Sequence, residues 1–374
     1  MNKKELRSNP GKTQKKLIRT QKESNRLKIL ITLALLLIAA ITYYLIDSGS
    51  YVATVNNNRI SKAEYQFFLS QQQTAVEQEQ GLSNKTTEEI KEFWTKTTDG
   101  QNPWEDVKRD ALDVSKEYMI QLIKAKEAGY KVNTQIKSEV ASLLDSYRSS
   151  MTDKQFEEYV RYSFNISSSD LGKITENLML IDDFKSSYLS GNYKPAEVTD
   201  DQIKAYYDKD PKRFDSVDIS YISFTKLEDS AEISAEKLEE KRKSAEEVLA
   251  KIKQGEDMDK LISEYTEDSV AEDSDTPLGK ATLTYSEGSM IQNMIDWVFA
   301  NKPGDSSVIE TDYVIYVVKI DSRTTFEDAK AVTKTTMENE AKEKFYEEAV
   351  QNWGLEAKYN IVKNERVYES ISYK

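Results

Sequence analysis

The feature that most restricts the fold of this chain is an uncharged, apolar run near its amino terminus. Residues 29–46 read ILITLALLLIAAITYYLI and contain no acidic or basic side chain. As a helix, the run measures about 27 Å at ~1.5 Å per residue, which is enough to cross the hydrocarbon core of a bilayer. The sequence therefore predicts one transmembrane helix over 29–46, with the lipid bilayer as a partner.

The charges on either side of this run predict its orientation. Residues 1–28 hold ten Lys and Arg against two Glu, a net charge of +8, so residues 29–374 carry −21 of the chain total of −13. Basic flanks stay in the cytoplasm, which predicts a basic cytoplasmic tail and a single-pass protein of the cell membrane with its bulk on the extracytoplasmic side. A cleaved signal peptide is the alternative, although the run is long for one and lacks a clear small-x-small cleavage site.

The 374-residue chain contains no histidine and no cysteine. This excludes Ser-His-Asp and Cys-His catalysis, histidine general bases and the usual zinc sites, and we expect neither a metal nor a cofactor. The acidic exported part is also unsuited to binding nucleic acid. An enzyme with this composition must rely on carboxylate, hydroxyl and amide groups and on the shape of its binding site.

Periodicity divides the remainder into a mainly helical region at 50–210, a mixed region at 215–322 and a carboxy-terminal region at 325–374. In the first, Ser61 and Glu64 form a capping box that opens a helix, and polar residues 80–103 predict a loop. Apolar stripes predict four further helices, over Trp104–Ala128, 134–149, 152–162 and 168–189. The last region predicts a long helix to about Trp353, followed by a strand-like tail.

The central region follows the order strand, helix, helix, loop, helix, strand, strand. Its strands are predicted over 217–225, 306–309 and 312–320, with a further short strand in the loop TPLGKATLTYSEGSM. The stretch TDYVIYVVKID is apolar on both faces, as in a buried strand, and it places Tyr316 where its hydroxyl needs a partner. We predict a multidomain α+β protein in which an antiparallel four-stranded sheet with helices is inserted between helical segments.

Three stretches of the central region resemble the parvulin-type peptidyl-prolyl isomerases, namely EDMDKLISEYTEDS, TPLGKATLTYSEGSM and WVFANKPGDSSVIETDYVIYVVKI. The flanking stretches VATVNNNRISKAEYQFFL, AKEAGYKVN and VTDDQIKAYYDKDPKRF resemble the chaperone domain of SurA- and PrsA-type exported foldases. In those proteins the carboxy-terminal helix and strand pack on the amino-terminal helices. The resemblance covers nearly all of residues 50–374.

This resemblance implies a site, and the sequence departs from the family there. The two histidine positions of the family fall on Tyr221 and Tyr316, and its cysteine-or-aspartate position falls on Asp268. A tyrosine offers a flat ring and one hydroxyl donor and acceptor, so we expect these three residues to form the catalytic site. The resemblance assigns substrate binding to Leu278, Met290, Met294, Phe299 and Tyr313.

The function that the resemblance implies is peptidyl-prolyl cis-trans isomerisation during the folding of exported polypeptides, with unfolded clients containing Xaa-Pro bonds as partners. The alternative is a membrane-anchored holdase with a degenerate parvulin domain, and a structural or adhesion protein on a membrane stalk is a third interpretation. Both a homodimer and a monomer are compatible with the sequence. Six aromatic residues are candidates for client contact in the helical domain, although we expect most of them to belong to its core: Phe67, Phe68, Trp94, Trp104, Tyr118 and Phe156.

Overall fold

The computed structural model describes Leu37 and residues 49–98, 100–228, 231–269 and 277–373. The predicted basic tail at 1–28 lies outside these residues, and so does the predicted transmembrane helix at 29–46 apart from Leu37. Among the described residues, none of the helices has the length and apolar character required to span a bilayer.

The chain divides into two compact units. The helical unit comprises the described residues up to Tyr193 together with those from Phe345 onward, and the central unit is Lys194–Lys344. The helical unit is therefore discontinuous in sequence, with the central unit inserted into it.

The helical unit contains a small sheet and a set of helices. Its strands are β1 (Tyr51–Val55), β2 (Asn58–Ser61) and β9 (Ile361–Lys363), in the order β2-β1-β9 with both pairings antiparallel. Its helices are α1 (Lys62–Glu79), α2 (Thr87–Thr95), α3 (Pro103–Glu127), α4 (Thr134–Arg148), α5 (Asp153–Phe164), α6 (Ser168–Asn192), the end of α11 (Phe326–Gly354) and α12 (Glu365–Glu369), with 3₁₀ turns at Leu82–Asn84 and Ala357–Tyr359.

One apolar core holds the helical unit together, and it joins residues from both ends of the chain. Trp94 and Trp104 meet edge to face with ring centroids 5.9 Å apart, and Tyr373 stacks on Trp94 at 6.1 Å. The indole N–H of Trp104 donates to the carbonyl of Ile371 at 3.3 Å. The carboxy-terminal residues are thus part of the core rather than an appended tail.

The central unit contains one main sheet. Its strands β3 (Ser216–Thr225), β6 (Lys280–Thr284), β7 (Ser306–Glu310) and β8 (Val314–Arg323) lie in the order β6-β3-β8-β7, and every pairing is antiparallel. The helices are α7 (Asp200–Tyr207), α8 (Ala235–Lys253), α9 (Met258–Tyr265), α10 (Gln292–Ala300) and the first part of α11, with a 3₁₀ turn at Pro211–Arg213 and a hairpin of β4 (Leu227–Glu228) and β5 (Ala231–Glu232).

The main sheet is buried on both faces, as the apolar character of β8 predicts. On one face, α8 and α9 pack on Ile222, Ile315 and Val317. On the other, α10 packs on Ile219 and Val318. Alternate residues of β3 and β8 therefore enter two separate cores.

Several predicted elements differ from the structure. The predicted loop at 80–103 contains α2, whose capping box is formed by Thr86 and Glu89. The predicted strand-like tail is a strand over Ile361–Lys363 only, after which the chain forms the short helix α12. The prediction named one four-stranded sheet, and the described residues also form the sheet β2-β1-β9 and the hairpin β4-β5.

Candidate active site

Strands β3 and β8 bring Tyr221 and Tyr316 together on the face of the main sheet that α10 covers. Tyr221 pairs with Val318, and Tyr316 lies two residues before Val318 on β8, so both tyrosines point to the same side. Their ring centroids are 5.8 Å apart and the ring planes meet at 76°, an edge-to-face contact. Both rings are half-buried against the α10 core.

Asp268 completes the group from the segment that follows α9. The Tyr221 hydroxyl donates to the Asp268 carboxylate at 3.0 Å. The same carboxylate accepts the backbone N–H of Ser269 at 2.9 Å. The structure thus brings together Tyr221, Tyr316 and Asp268, which the sequence proposed as the site.

The segment that carries Asp268 is fastened to β3 by hydrogen bonds. The backbone N–H of Ser223 donates to the Thr266 hydroxyl at 3.2 Å, and the backbone N–H of Glu267 donates to the carbonyl of Ser223 at 2.9 Å. The Glu267 carboxylate accepts the backbone N–H of Thr225 at 2.8 Å and is paired with Lys241. These contacts hold Asp268 beside the tyrosines.

Burial and the nearby carboxylate keep both tyrosines protonated at neutral pH. Burial, together with the hydrogen bond to Asp268 and its negative charge, raises the pKa of Tyr221 to about 12. Burial and the charge of Asp268 also raise the pKa of Tyr316. The two tyrosines therefore present neutral hydroxyl groups, and neither exchanges protons readily near pH 7.

Gly279, which directly precedes β6, contacts the backbone of Tyr221 at the site. The backbone N–H of Tyr221 donates to the carbonyl of Gly279 at 2.8 Å. Gly279 has a φ of +68°, and a Cβ at this position would lie 2.6 Å from the carbonyl oxygen of Tyr221. A glycine is thus required for the close approach that sets the position of Tyr221.

The central segment is similar to a known protein family. Residues 204–324 match the family model of the PPIC-type PPIASE domain, and this range contains the main sheet and the three site residues. The predicted resemblance to the parvulin-type isomerases is confirmed. We refer to residues 204–324 as the parvulin-type domain.

Full-length relatives extend the likeness beyond the parvulin-type domain. The chain is 25% identical over 306 residues to the foldase protein PrsA of Caldanaerobacter subterraneus subsp. tengcongensis, covering 80% of this chain and 83% of the relative. It is similar to the crystal structure of PrsA from Bacillus subtilis (22% identity, 72% of this chain, 93% of that chain, TM-score 0.28). It is also similar to the structure of the foldase protein PrsA from Lactococcus lactis (11% identity, 86% and 97% coverage, TM-score 0.36).

The residues predicted to bind substrate in the parvulin-type domain lie in different environments. Met294 and Phe299 are buried in the α10 core, at 4% and 6% exposure. Met290 and Tyr313 are exposed, at 84% and 52%. Leu278 packs on the core formed by α8 and α9. The structure thus does not gather all five around the tyrosine pair, and their role in substrate binding stays a prediction.

Sequence reasoning missed the residues that hold Asp268 in place. Thr266 and Glu267 make these contacts with Ser223 and Thr225 of β3, and the only signal for the first two was the polar run TEDS directly after a helix. Such a run commonly lies in solvent, so the sequence alone did not distinguish a fixed segment from a free one.

The aromatic residues proposed for client contact in the helical unit are not on its surface. All six are buried, at 8% exposure or less, so the core role expected for most of them holds for all: Phe67, Phe68, Trp94, Trp104, Tyr118 and Phe156. The exposed large apolar side chains of α4, α5 and the turn between them are Leu143, Tyr147, Met151, Tyr159 and Tyr162. Tyr162 is the most accessible of these, at 93%.

Proposed function

We propose that this protein is a membrane-anchored foldase, and that its parvulin-type domain isomerises Xaa-Pro bonds in unfolded polypeptides outside the cytoplasm. The observation that supports this most directly is the contact of Tyr221, Tyr316 and Asp268 within a segment that matches the PPIC-type family. The relative named as a foldase, which aligns with most of the chain, supports the same function.

The chemistry of the reaction suits a site without a proton-exchanging group. Rotation about a peptide bond is opposed by amide resonance, with a barrier of about 18–20 kcal/mol, and it involves no covalent intermediate. Catalysis requires that the twisted amide be bound more tightly than the planar one. The hydroxyl of Tyr316 can donate to the client, while that of Tyr221 already donates to Asp268. This donor and the two flat rings at fixed positions provide such binding through hydrogen bonding and contact with the proline ring.

The roles of the three residues follow from their contacts. Asp268 fixes the hydroxyl of Tyr221, and it disfavours ionisation of both tyrosines. The edge-to-face contact then sets the orientation of Tyr316 relative to Tyr221. We expect the exposed edges of these two rings to meet the proline, with Tyr313 and Met290 as flanking contacts.

The location of the protein is supported by the sequence of residues 1–46. The apolar run of 29–46 follows a segment of net charge +8, which favours a single span with the amino terminus in the cytoplasm. In this arrangement both compact units lie on the extracytoplasmic side. Protease protection of the amino-terminal tail in intact cells tests this, because a cytoplasmic tail stays protected while the units are cleaved.

The test of the enzymatic function is isomerisation of a short Xaa-Pro peptide by the full chain, followed by NMR exchange spectroscopy. We expect acceleration over the uncatalysed rate, a loss of at least about tenfold in Asp268→Ala, and a smaller loss in Tyr316→Phe. A wild-type rate equal to the uncatalysed rate would remove the isomerase from the proposal.

A holdase without enzymatic activity is the second candidate, and the exposed apolar side chains of α4 and α5 favour it. Large exposed apolar patches are typical of sites that bind other proteins, and α4 and α5 each carry two exposed large apolar side chains, with Met151 between the helices. Suppression of the aggregation of a denatured client, assayed by light scattering, tests this function. We expect the double change Tyr147→Ser and Tyr162→Ser to weaken suppression without affecting isomerisation, since both residues belong to the helical unit.

A further inference from the structure

The carboxylate of Asp268 retains the capacity to bind another group. It accepts one hydrogen bond from Tyr221 and one from the backbone of Ser269, while a carboxylate offers about four acceptor positions. The side chain is exposed. Within the part of the chain that the structure describes, no lysine or arginine forms an ion pair with Asp268.

Neighbouring carboxylates differ from Asp268 in this respect. Glu267 is paired with Lys241 at 2.5 Å. Glu310, at the end of β7, is paired with Lys226 at 3.0 Å and Arg242 at 2.9 Å. Lys226, Lys241 and Arg242 are thus engaged with acids other than Asp268.

Because Asp268 lies beside the tyrosine pair, its charge acts on the client residues next to the bound proline. The hydrogen bonds of Thr266 and Glu267 to β3 hold the segment in place, so the carboxylate stands at the site in the absence of a client. A peptide whose proline contacts Tyr221 and Tyr316 places its adjacent residues within a few ångströms of Asp268. A cation there gains attraction, and an anion meets repulsion.

We propose that Asp268 makes the site selective for clients in which a lysine or arginine lies within one residue of the proline. This inference rests on the proposed function, because it assumes that the tyrosine pair is where the proline binds. Two unit charges about 6 Å apart at a partly solvated site change affinity by several-fold to about tenfold. The attraction falls as salt is added, because it is screened.

The experiment compares three peptides that differ only in the residue before proline, which is Lys, Ala or Glu. Binding to the full chain is measured by NMR titration, and isomerisation by exchange spectroscopy in the same samples. We expect the Lys peptide to bind about tenfold more tightly than the Glu peptide at low salt, with Ala between them. At 0.5 M salt the ratio should fall to about twofold or less. A second set with the charged residue after proline should give the same order.

Two variants test the assignment to Asp268. Asp268→Asn removes the charge and keeps an oxygen acceptor for the Tyr221 hydroxyl, so the Lys-to-Glu ratio should fall to near one. Glu246→Gln removes one charge from the exposed side of α8, a helix on the opposite face of the sheet, and should leave the ratio unchanged. The readout is the ratio of the affinities for two peptides. A general loss of folding or activity lowers both affinities and does not change their ratio.

The outcomes separate this inference from the proposed function. Isomerisation of all three peptides with equal affinities would overturn the selectivity and leave the isomerase intact. A Lys preference without isomerisation would support the selectivity of a peptide-binding site and count against the enzyme. A preference that persists in Asp268→Asn, or that does not respond to salt in the wild type, would also overturn the assignment. The salt series needs no variant, so the proposal is testable even where Asp268→Asn folds poorly.

Discussion

Tyr221 and Tyr316 fall where the resemblance predicts the two histidines of the parvulin-type family, and a tyrosine ionises in a different pH range from a histidine. A histidine changes charge between about pH 5 and 8, whereas burial and Asp268 raise the pKa of Tyr221 to about 12. We therefore expect the activity of the parvulin-type domain to vary little between pH 6 and 9. A rate profile with a midpoint between pH 6 and 7 would contradict this, because neither Tyr221 nor Tyr316 titrates there.

The pKa of Tyr221 can be tested by a difference titration. The absorbance of tyrosinate in the wild type, minus that of Tyr221→Phe, should show a midpoint near pH 12. In Asp268→Asn the midpoint should move toward 10 but stay above it, because burial, the larger cause, remains. The raised pKa means that the contribution of Tyr221 to stability is complete below about pH 10 and is lost as pH rises toward 12. A wild-type midpoint near 10 would indicate that Tyr221 is solvated.

Gly279 provides a test of the backbone at the site. In Gly279→Ala the new Cβ meets the carbonyl oxygen of Tyr221 at 2.6 Å and Ile262 at 2.7 Å, and φ is +68°. We expect a loss of about 3 kcal/mol in the free energy of unfolding, from clash and backbone strain together. Gly288→Ala is the matched control, because φ is +76° with open space around the Cβ, and it should cost about 1 kcal/mol. Equal losses in urea denaturation would show that the close approach is unimportant.

For single residues, the sequence predicted that the two tyrosines of the site come together, but it did not predict the environment of the residues around them. The alternation of β8 and the family resemblance were enough to place Tyr316 beside Tyr221. They did not place Leu278 or Met290, because the loop between α9 and α10 has no periodicity that assigns a residue to one face of the sheet. Leu278 accordingly packs with α8 and α9, and Met290 faces solvent.

Among the elements, α8 is fastened to the edge of the main sheet by ion pairs around Glu310. Arg242 of α8 donates two hydrogen bonds to the Glu310 carboxylate, at 2.9 and 3.0 Å, and Lys226 donates a third at 3.0 Å. These bonds lower the pKa of Glu310 to about 2, with Arg242 as the larger cause. The arrangement holds α8 against β7 beside the segment that carries Asp268.

The ion pairs predict a dependence of stability on acid pH. Because the pKa of Glu310 is lowered from 4.5 to about 2, its contribution is present above pH 4.5 and is lost as pH falls toward 2. Glu310→Gln should lower the free energy of unfolding at pH 7 by about 1 kcal/mol, a value reduced for the partial exposure of the pair. The difference between wild type and variant should shrink toward zero near pH 2. A difference that stays constant from pH 7 to 2 would contradict the assignment.

Whether an element could be predicted depended on how much apolar surface it carries. The long helices α3 and α6 follow clear apolar stripes, and the predicted bounds lie close to those observed. Helix α2 was missed because Ile90, Phe93 and Trp94 stand in a polar stretch, although Thr86 and Glu89 form a recognisable capping box. Strand β9 and α12 are short, and pairing with β1 rather than local propensity determines where the strand ends.

For the whole molecule, the insertion of one unit in another predicts that the helical unit folds without the central one. The rings of Tyr193 and Phe345, on either side of the insertion, lie 5.4 Å apart, so a short linker can join them. We expect a chain lacking residues 194–344 to unfold cooperatively by circular dichroism and to suppress client aggregation, because its apolar core is complete. It should have no isomerase activity.

A different result for the shortened chain would change the proposed assignment of client binding to the helical unit and isomerisation to the central unit. If the shortened chain folds but no longer suppresses aggregation, client binding requires the parvulin-type domain. The double variant Tyr147→Ser and Tyr162→Ser in the full chain serves as the reference, since it alters the surface of the helical unit and leaves the inserted unit unchanged.

The pairing of β9 with β1 also has a consequence for the order of events during synthesis. The side-chain amide of Asn364 donates to the carbonyl of Tyr51, across 313 positions of the chain, and the backbone N–H of Asn364 donates to the carbonyl of Val52 at 2.8 Å. Strand β1, the first strand among the described residues, must therefore wait for β9, the last of them. During that interval the edge of β1 that later pairs with β9 is open, while the inserted unit already has all of its described strands. The sheet of the helical unit is thus completed only after the inserted unit has been synthesised.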